Sequence, residues 1–535
     1  MTDACVVAAG LAVAVAVVAA VFAAPTHAAA PPTWKSRMAA AEHYAHTRSG
    51  TITFAVEEEA GRLHGYQARE VAPSASVLKA MLLVAYLRRA DVRGRELEQW
   101  ERDLLAPMIQ RSDNAAASRM VGLVGEARLD PLAKVAGMEH FRLHWPIWGQ
   151  SEVTPRGQAL FFHRIDHLVP ARHRRYAMRL LATVVPSQRW GVGRVPYRNW
   201  NLYFKGGWGS GTGLVDHQVA LYRAGGERFS LALFTRFDPN HEYGKETLRG
   251  LAARLLRGVP APGGRLPRAG RVALSRAAVV TARPDCAAVT IHLHAGGKRT
   301  FATGAASCSG FQLVSAGSRA LWSWPDGGES HLATADYGSP ATVDLGDFDS
   351  SDPLGPLAAS GEILAYAHGT DVSALGGPDC TMSADVLAAG GDRMAAGAGT
   401  TVELLDPDTC AVERTLNASG VTAAVALDDG LAAVLSHGSA GRAWVEWFRI
   451  STGKRLGKKE VAGTTLPSLS VRGPWILYRS SHALRVLAPE SGRSWTVWRP
   501  AEAQLGTRLL GRDISWAEAD GGRSRLWTLR LPVDD

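Results

Sequence analysis

The hydrophobic pattern of this chain changes period three times. Ala4–Ala24 is an unbroken Ala/Val-rich run, followed by the small residues Pro25–Ala30. Such a run before small residues reads as a secretory signal peptide, residues 1–30. No Lys or Arg precedes it and Asp3 does, so the alternative is an uncleaved N-terminal anchor, for which the run is just long enough. Both readings place the rest of the chain outside the cytoplasm, secreted or associated with the cell envelope.

From residue 31 the periods are mixed. Thr51–Val56 alternates like a strand, and Gly61–Gly65 marks its hairpin partner. Apolar residues at helical spacing (Val77, Leu78, Met81, Leu82, Val84, Ala85, Leu87) predict a helix over Ser76–Arg89. Further helices are expected at Leu97–Met108, Ala115–Val124, Pro155–His167, Arg172–Val184 and Glu246–Leu256. Strands are expected at Asn201–Phe204, Val219–Arg223 and Phe229–Thr235. Strands at both ends with helices between them make an α+β domain, residues 31–258, its terminal elements meeting in one antiparallel sheet. The Pro/Gly-dominated stretch Val259–Pro267 reads as a linker, residues 259–270.

Residues 271–535 read as strands only. Strand, polar turn and strand recur around Asp406–Thr409, Ser451–Gly453 and Pro489–Gly492. A repeat near 40 residues is the period of β-propeller blades, and the length suits about six. A pair of β-sandwiches is the alternative.

Charge and cysteine sharpen this division. The chain has 535 residues and a net charge of +9. Residues 31–260 hold a net charge of about +12, and residues 271–535 are near neutral or slightly acidic. Outside a cell a basic surface suits anionic wall polymers, and nucleic acid is not an expected partner. The bland alternative is a set of Arg-rich solvated helices. Cys5 lies in the leader; the other four cysteines are Cys286, Cys308, Cys380 and Cys410. An even count in an exported chain reads as disulfides, with sequential pairing the first choice of three connectivities. The first domain has no cysteine, so its chemistry cannot use a thiolate, and nothing in the sequence calls for a cofactor.

Three short motifs carry the chemistry. Ser76-Val77-Leu78-Lys79 is S-x-x-K at the start of a helix, where positions i and i+3 share a face and an amine can lie against a hydroxyl. Ser112-Asp113-Asn114 stands at the start of another helix. Lys205-Gly206-Gly207 ends a predicted strand. A second S-x-x-K, Ser451–Lys454, falls on a blade turn and reads as accidental. His163 and His167 stand at i and i+4, yet have no third metal ligand, so they read as polar positions of an amphipathic helix. Trp190, Trp200 and Trp208 cluster near the third motif, as core or as a stacking wall of a cleft.

S-x-x-K, S-D-N and K-x-G in this order make residues 34–257 resemble the class A branch of the serine β-lactamases and penicillin-binding proteins. Val153-Thr154-Pro155 is similar to the segment after that family's omega loop. The resemblance implies Ser76 as acylated nucleophile, Lys79 as its base, Ser112 as proton relay to the leaving nitrogen, and Asn114 as holder of the substrate amide and of Lys79. Lys205 would supply positive charge, and the backbone N–H groups of Ser76 and Trp208 an oxyanion hole beside Gly207. Substrates would be β-lactams or D-alanyl-type wall peptides.

Three departures stand out. Gly206 replaces the family's hydroxyl residue, with Ser210 or Thr212 as possible substitutes. The short gap from Ser76 to Ser112 implies a missing hairpin and a more open site. The omega-loop Glu is absent: His144–Val153 is cut down, Trp145-Pro146 stands for Trp-Glu-Pro, and Glu152 and Glu139 are the nearest acids. The expected activity is therefore acyl-enzyme formation with slow deacylation. The rivals are a binder of penicillin or wall peptide with little turnover, and an interaction protein whose propeller, of unknown ligand, is the binding module. Drift in a dead scaffold would not spare Ser76, Lys79, Ser112, Asn114 and Lys205 together.

Overall fold

The computed structural model describes residues 32–58, 61–195, 199–209, 214–224, 227–428, 430–462, 468–481, 483–499, 504–520 and 522–531. The leader, Ser210 and Thr212 lie outside these residues.

The first domain is built on a five-stranded antiparallel sheet. Its strands are β1 (Thr51–Glu58), β2 (Leu63–Tyr66), β5 (Asn201–Gly209), β6 (Val215–Ala224) and β7 (Glu227–Arg236), in the order β2-β1-β7-β6-β5. The first strand thus pairs with the last, Thr51 opposite Arg236 through Glu58 opposite Phe229. Helices α1 (Trp34–His46) and α8 (His241–Leu255) pack on one face with Phe54 and Val56. On the other face lie α2 (Leu78–Leu87), α3 (Gln99–Gln110), α4 (Asn114–Val124), α5 (Glu126–Ala136), α6 (Pro155–Leu168) and α7 (Ala171–Ala182). Every residue of α2 is buried, as expected of a helix that is apolar all round. A two-residue ladder joins β3 (Ala72–Pro73) to β4 (Glu152–Val153).

Two helices escaped the sequence reading. The first, α1, is alanine-rich with little amphipathic contrast, and α5 carries Pro131 within it. Both are fixed by packing rather than by a clear apolar stripe.

The second region is all β. Seven four-stranded antiparallel sheets follow one another among the described residues, where the repeat suggested about six. Six of them use consecutive strands. The seventh takes its outer strand from β8 (Ala261–Leu266), which pairs with Arg523–Arg530. The stretch expected as a linker, 259–270, therefore contains a strand. Its Pro and Gly residues hid an edge strand, the one sheet position where proline is tolerated. The first strand of each sheet lies beside that of the next, and the seventh returns to the first. Together they surround a cavity of about 990 Å³. Arg508 reaches from the seventh sheet to the carbonyls of Leu274, Ser315 and Ala359 at 3.2, 2.6 and 3.0 Å, tying it to the first three.

The two regions share one apolar cluster. Trp200 and Phe229 from the first pack with Trp475, Trp516 and Trp527 from the second. Trp200 lies 5.5 Å from Trp527, ring centre to ring centre, and its Nε1 donates to the Pro260 carbonyl at 2.9 Å. Disulfides join Cys286 to Cys308 and Cys380 to Cys410. Non-reducing peptide mapping should recover both pairs with no alkylatable thiol at these positions. The loops span 22 and 30 residues, so breaking either bond should cost about 3–4 kcal/mol in a denaturant titration.

Candidate active site

The three motifs arrive from three elements at one buried hydroxyl. Ser76 lies on a 3₁₀ turn, Ala75–Val77, that leads into α2, and Lys79 follows one turn later. Ser112 and Asn114 flank Asp113, whose side chain caps α4 by accepting from the Ala116 N–H at 2.8 Å. Lys205 lies on β5, fully buried. Lys79 Nζ sits 3.1 Å from Ser112 Oγ, and Lys205 Nζ sits 2.9 Å from the same oxygen. Lys79 also donates to the Ser112 carbonyl at 2.5 Å and to Asn114 Oδ1 at 2.8 Å. Lys205 donates to the Gly206 carbonyl at 2.6 Å.

Burial sets the protonation here. It pulls the Lys79 amine down to about 7, with Asp113 opposing only weakly. Lys205 is pulled well below its usual range by complete burial and then by Lys79 beside it. A neutral Lys79 has two protons, and two groups that can only accept, the Ser112 carbonyl and Asn114 Oδ1, take them. Its lone pair is then left for the Ser112 hydroxyl 3.1 Å away, which can donate to it.

The backbone is held in an uncommon conformation on both sides of this cluster. Ala75 and Ser112 have φ of 43° and 58°, a left-handed region that costs a non-glycine residue about 1 kcal/mol or more. Strand β5 passes directly over the Ser76 turn. A Cβ on Gly207 would meet the Ser76 and Val77 nitrogens at 2.8 and 2.9 Å, so only glycine lets the strand approach.

Residues 101–259 match the model of the "Beta-lactamase enzyme family". The chain carries a β-lactamase-like domain. Ser112, Asn114 and Lys205 fall within the matched stretch; Ser76 and Lys79 precede it. No curated protein matches the sequence. Among solved structures, a β-lactamase from Sphaerobacter thermophilus is 19% identical, covering 42% of this chain and 97% of its own, with a TM-score of 0.36. An ancestral class A β-lactamase is 17% identical, covering 42% and 99%, TM-score 0.36. A β-lactamase from Xanthomonas campestris is 17% identical, covering 42% and 96%, TM-score 0.36.

The departures of the β-lactamase-like domain have visible physical causes. A Cβ on Gly206 would press on the Trp190 ring at 3.2 Å. The indole occupies the space a hydroxyl side chain would need. Trp190 is itself fixed: Gln218 donates to its carbonyl at 2.8 Å and accepts from the Val192 N–H at 2.7 Å. In the shortened loop the ring of Trp148 faces Lys79 Nζ at 5.0 Å, and its Nε1 donates to Ser118 Oγ at 3.0 Å. The side chain set against the lysine there is thus an indole, which accepts no proton. Glu152 accepts from His140 and His144 at 2.9 and 3.0 Å, and Glu139 from Arg69 and Arg156 at 3.2 and 2.8 Å. Those bonds hold both carboxyls below their ordinary range, which weakens them as bases.

Other candidates separate from the site. Trp200 belongs to the domain interface, leaving Trp190 and Trp208 near the motif, their rings edge to face at 5.8 Å. His163 is buried and pulled down to about 4, while Asp166 pairs with Arg223 and Arg228 at 2.6 and 2.9 Å. No metal-holding group of three ligands occurs among the described residues. Ser451 is exposed on its turn.

One cluster was not legible in the sequence. His241 stacks on Trp208 at 5.8 Å and its Nδ1 lies 2.6 Å from Asp216 Oδ1. Burial and the neighbouring Asp238 push the Asp216 carboxyl up to about 8. Burial also lowers His241, so the pair shares one proton. Only the register that sets Asp216 opposite Trp208 reveals it.

Two measurements follow. If the motif set acylates as its resemblance implies, the rate should rise with pH through about 7 as Lys79 loses its proton, and stopped-flow trapping of the adduct should report that midpoint. On the same reading Gly207→Ala should lower that rate by about 10²–10³-fold, the cost of a misplaced oxyanion donor.

Proposed function

We propose that this chain is an exported active-site-serine hydrolase that forms an acyl-enzyme on Ser76 from β-lactams or D-alanyl-type wall peptides. One observation carries the reading: Lys79 and Lys205 meet at the Ser112 hydroxyl beside the strand that crosses the Ser76 turn. Ser76 Oγ attacks the carbonyl and neutral Lys79 takes its proton. The Ser76 and Trp208 N–H groups receive the oxyanion. Ser112 passes a proton to the departing nitrogen and recovers one from Lys79. Lys205 regains its charge when a substrate carboxylate arrives, since an anion offsets the penalty that burial and Lys79 impose. Asn114 positions both Lys79 and the substrate amide, and residues 210–212 remain candidates for the missing hydroxyl.

The all-β region is read as a seven-bladed propeller, exported with the hydrolase as its binding module. What supports this is the ring of first strands and the outer strand contributed by β8.

A second reading, a penicillin or wall-peptide binder with little turnover, draws on Trp148 and the ion-paired Glu152 and Glu139. Hydrolysis of the ester needs a second base. General-base help is worth about 10²–10⁴-fold, or roughly 3–5 kcal/mol of barrier. A chromogenic β-lactam should therefore give a stoichiometric burst followed by a slow steady rate. Fast turnover without a trapped adduct would mean that another base acts. Intact-mass spectrometry with a penicillin should find one adduct, and Ser76→Ala should abolish it. Labelling that survives in Ser76→Ala would refute the site.

A further inference from the structure

Where the two domains meet there is a groove of about 820 Å³ that the acylation chemistry leaves unused. Both domains build it. Trp34 and Arg37 come from α1, and Trp495 and Trp498 from the strand Arg493–Trp498. That strand is bulged: Trp498 stands opposite Leu484 and Thr496 opposite Arg485, with Val497 extra. Trp495 stands opposite Val486. Leu484 and Val486 are two apart, so the bulge places both indoles on one face. Without it a spacing of three would send them to opposite faces. Trp34 and Trp495 are only part-buried; Trp34 is stacked on His64 at 6.0 Å, while Trp495 meets an edge of Trp475 at 6.1 Å and carries Arg493 at 5.6 Å.

The groove is basic. Lys35, Arg37, Arg62, Arg228 and Arg499 line it against Glu58 and Glu227. Arg62 is matched by Glu58 and Arg228 by Asp166. Arg37 is different. It is 8% exposed, its Nη2 donates to the Gly258 carbonyl at 2.8 Å, and its guanidinium lies 4.7 Å from the centre of the Trp34 ring. Among the described residues it forms no salt bridge, and its buried Nε has no acceptor. Burial lowers it only to about 10, with Glu58 opposing through space, so it stays a cation at neutral pH. A buried cation with no salt-bridge partner is expensive for folding alone. An anion in the groove would complete it, and the indole of Trp495 beside it suits the apolar face of a sugar ring.

We propose that this inter-domain groove binds an anionic glycan, with a sugar ring against Trp495 and a carboxylate or phosphate group received by Arg37. The site is separate from Ser76 and does not rest on the acylation reading. Titration calorimetry on the full chain tests it with four probes: oligogalacturonate, a phosphorylated oligomannose, neutral cellohexaose and polyglutamate. Binding of either acidic sugar is expected, and the tighter of the two identifies the anionic group. The neutral sugar and the sugarless polyanion should each bind at least about tenfold more weakly. Arg37→Met and Trp495→Ala should each weaken the acidic sugar about tenfold, while Ser76→Ala leaves it unchanged. Thermal melts accompany the variants; if Arg37→Met fails to fold, Trp495→Ala decides. Equal binding of cellohexaose or polyglutamate, no loss in Trp495→Ala, or loss in Ser76→Ala would overturn the proposal.

Discussion

Two lysines reach the same buried hydroxyl. Lys79 comes from the central helix and Lys205 from a sheet strand, and Ser112 Oγ lies within 3.1 and 2.9 Å of them. Two ammonium groups so close together, both out of water, are strongly unfavourable, so the cluster disfavours full protonation. That constraint adds to burial in lowering Lys205, while Lys79 is lowered by burial itself. It also requires a fold stiff enough to hold three elements together against the repulsion, and the fully buried α2 and the left-handed turns at Ala75 and Ser112 serve that end.

The same close packing continues around Gly206. Trp190 is locked by Gln218 into the space beside Gly206, so a larger residue at 206 would need Trp190 to move. Trp148 covers Lys79 from the shortened loop. Each indole fills space directly beside a residue of the candidate site.

The second region is anchored to the first through aromatic burial rather than through a flexible tether. Trp200 packs against Trp527, and β8 continues from the first domain directly into the last sheet. The strand that completes the seventh sheet is thus also the connection between the two regions.

The sequence alone determined which residues to gather as a candidate site. Lys79, Ser112, Asn114 and Lys205 meet in the structure, and they were visible, with Ser76, because local spacing at helix starts and a strand end is a short-range property. It also determined the α+β order and the four paired cysteines. It could not reveal β8, since proline and glycine look like a linker until a partner strand supplies the hydrogen bonds. Nor could it count seven sheets, because strands of weak alternation become strands only by pairing. The Trp190–Gly206 contact, the Trp148 cover, the Asp216–His241 pair and the groove at Arg37 all join residues far apart in the chain. Such contacts depend on which backbone atoms come within a few ångströms, and only the tertiary structure decides that.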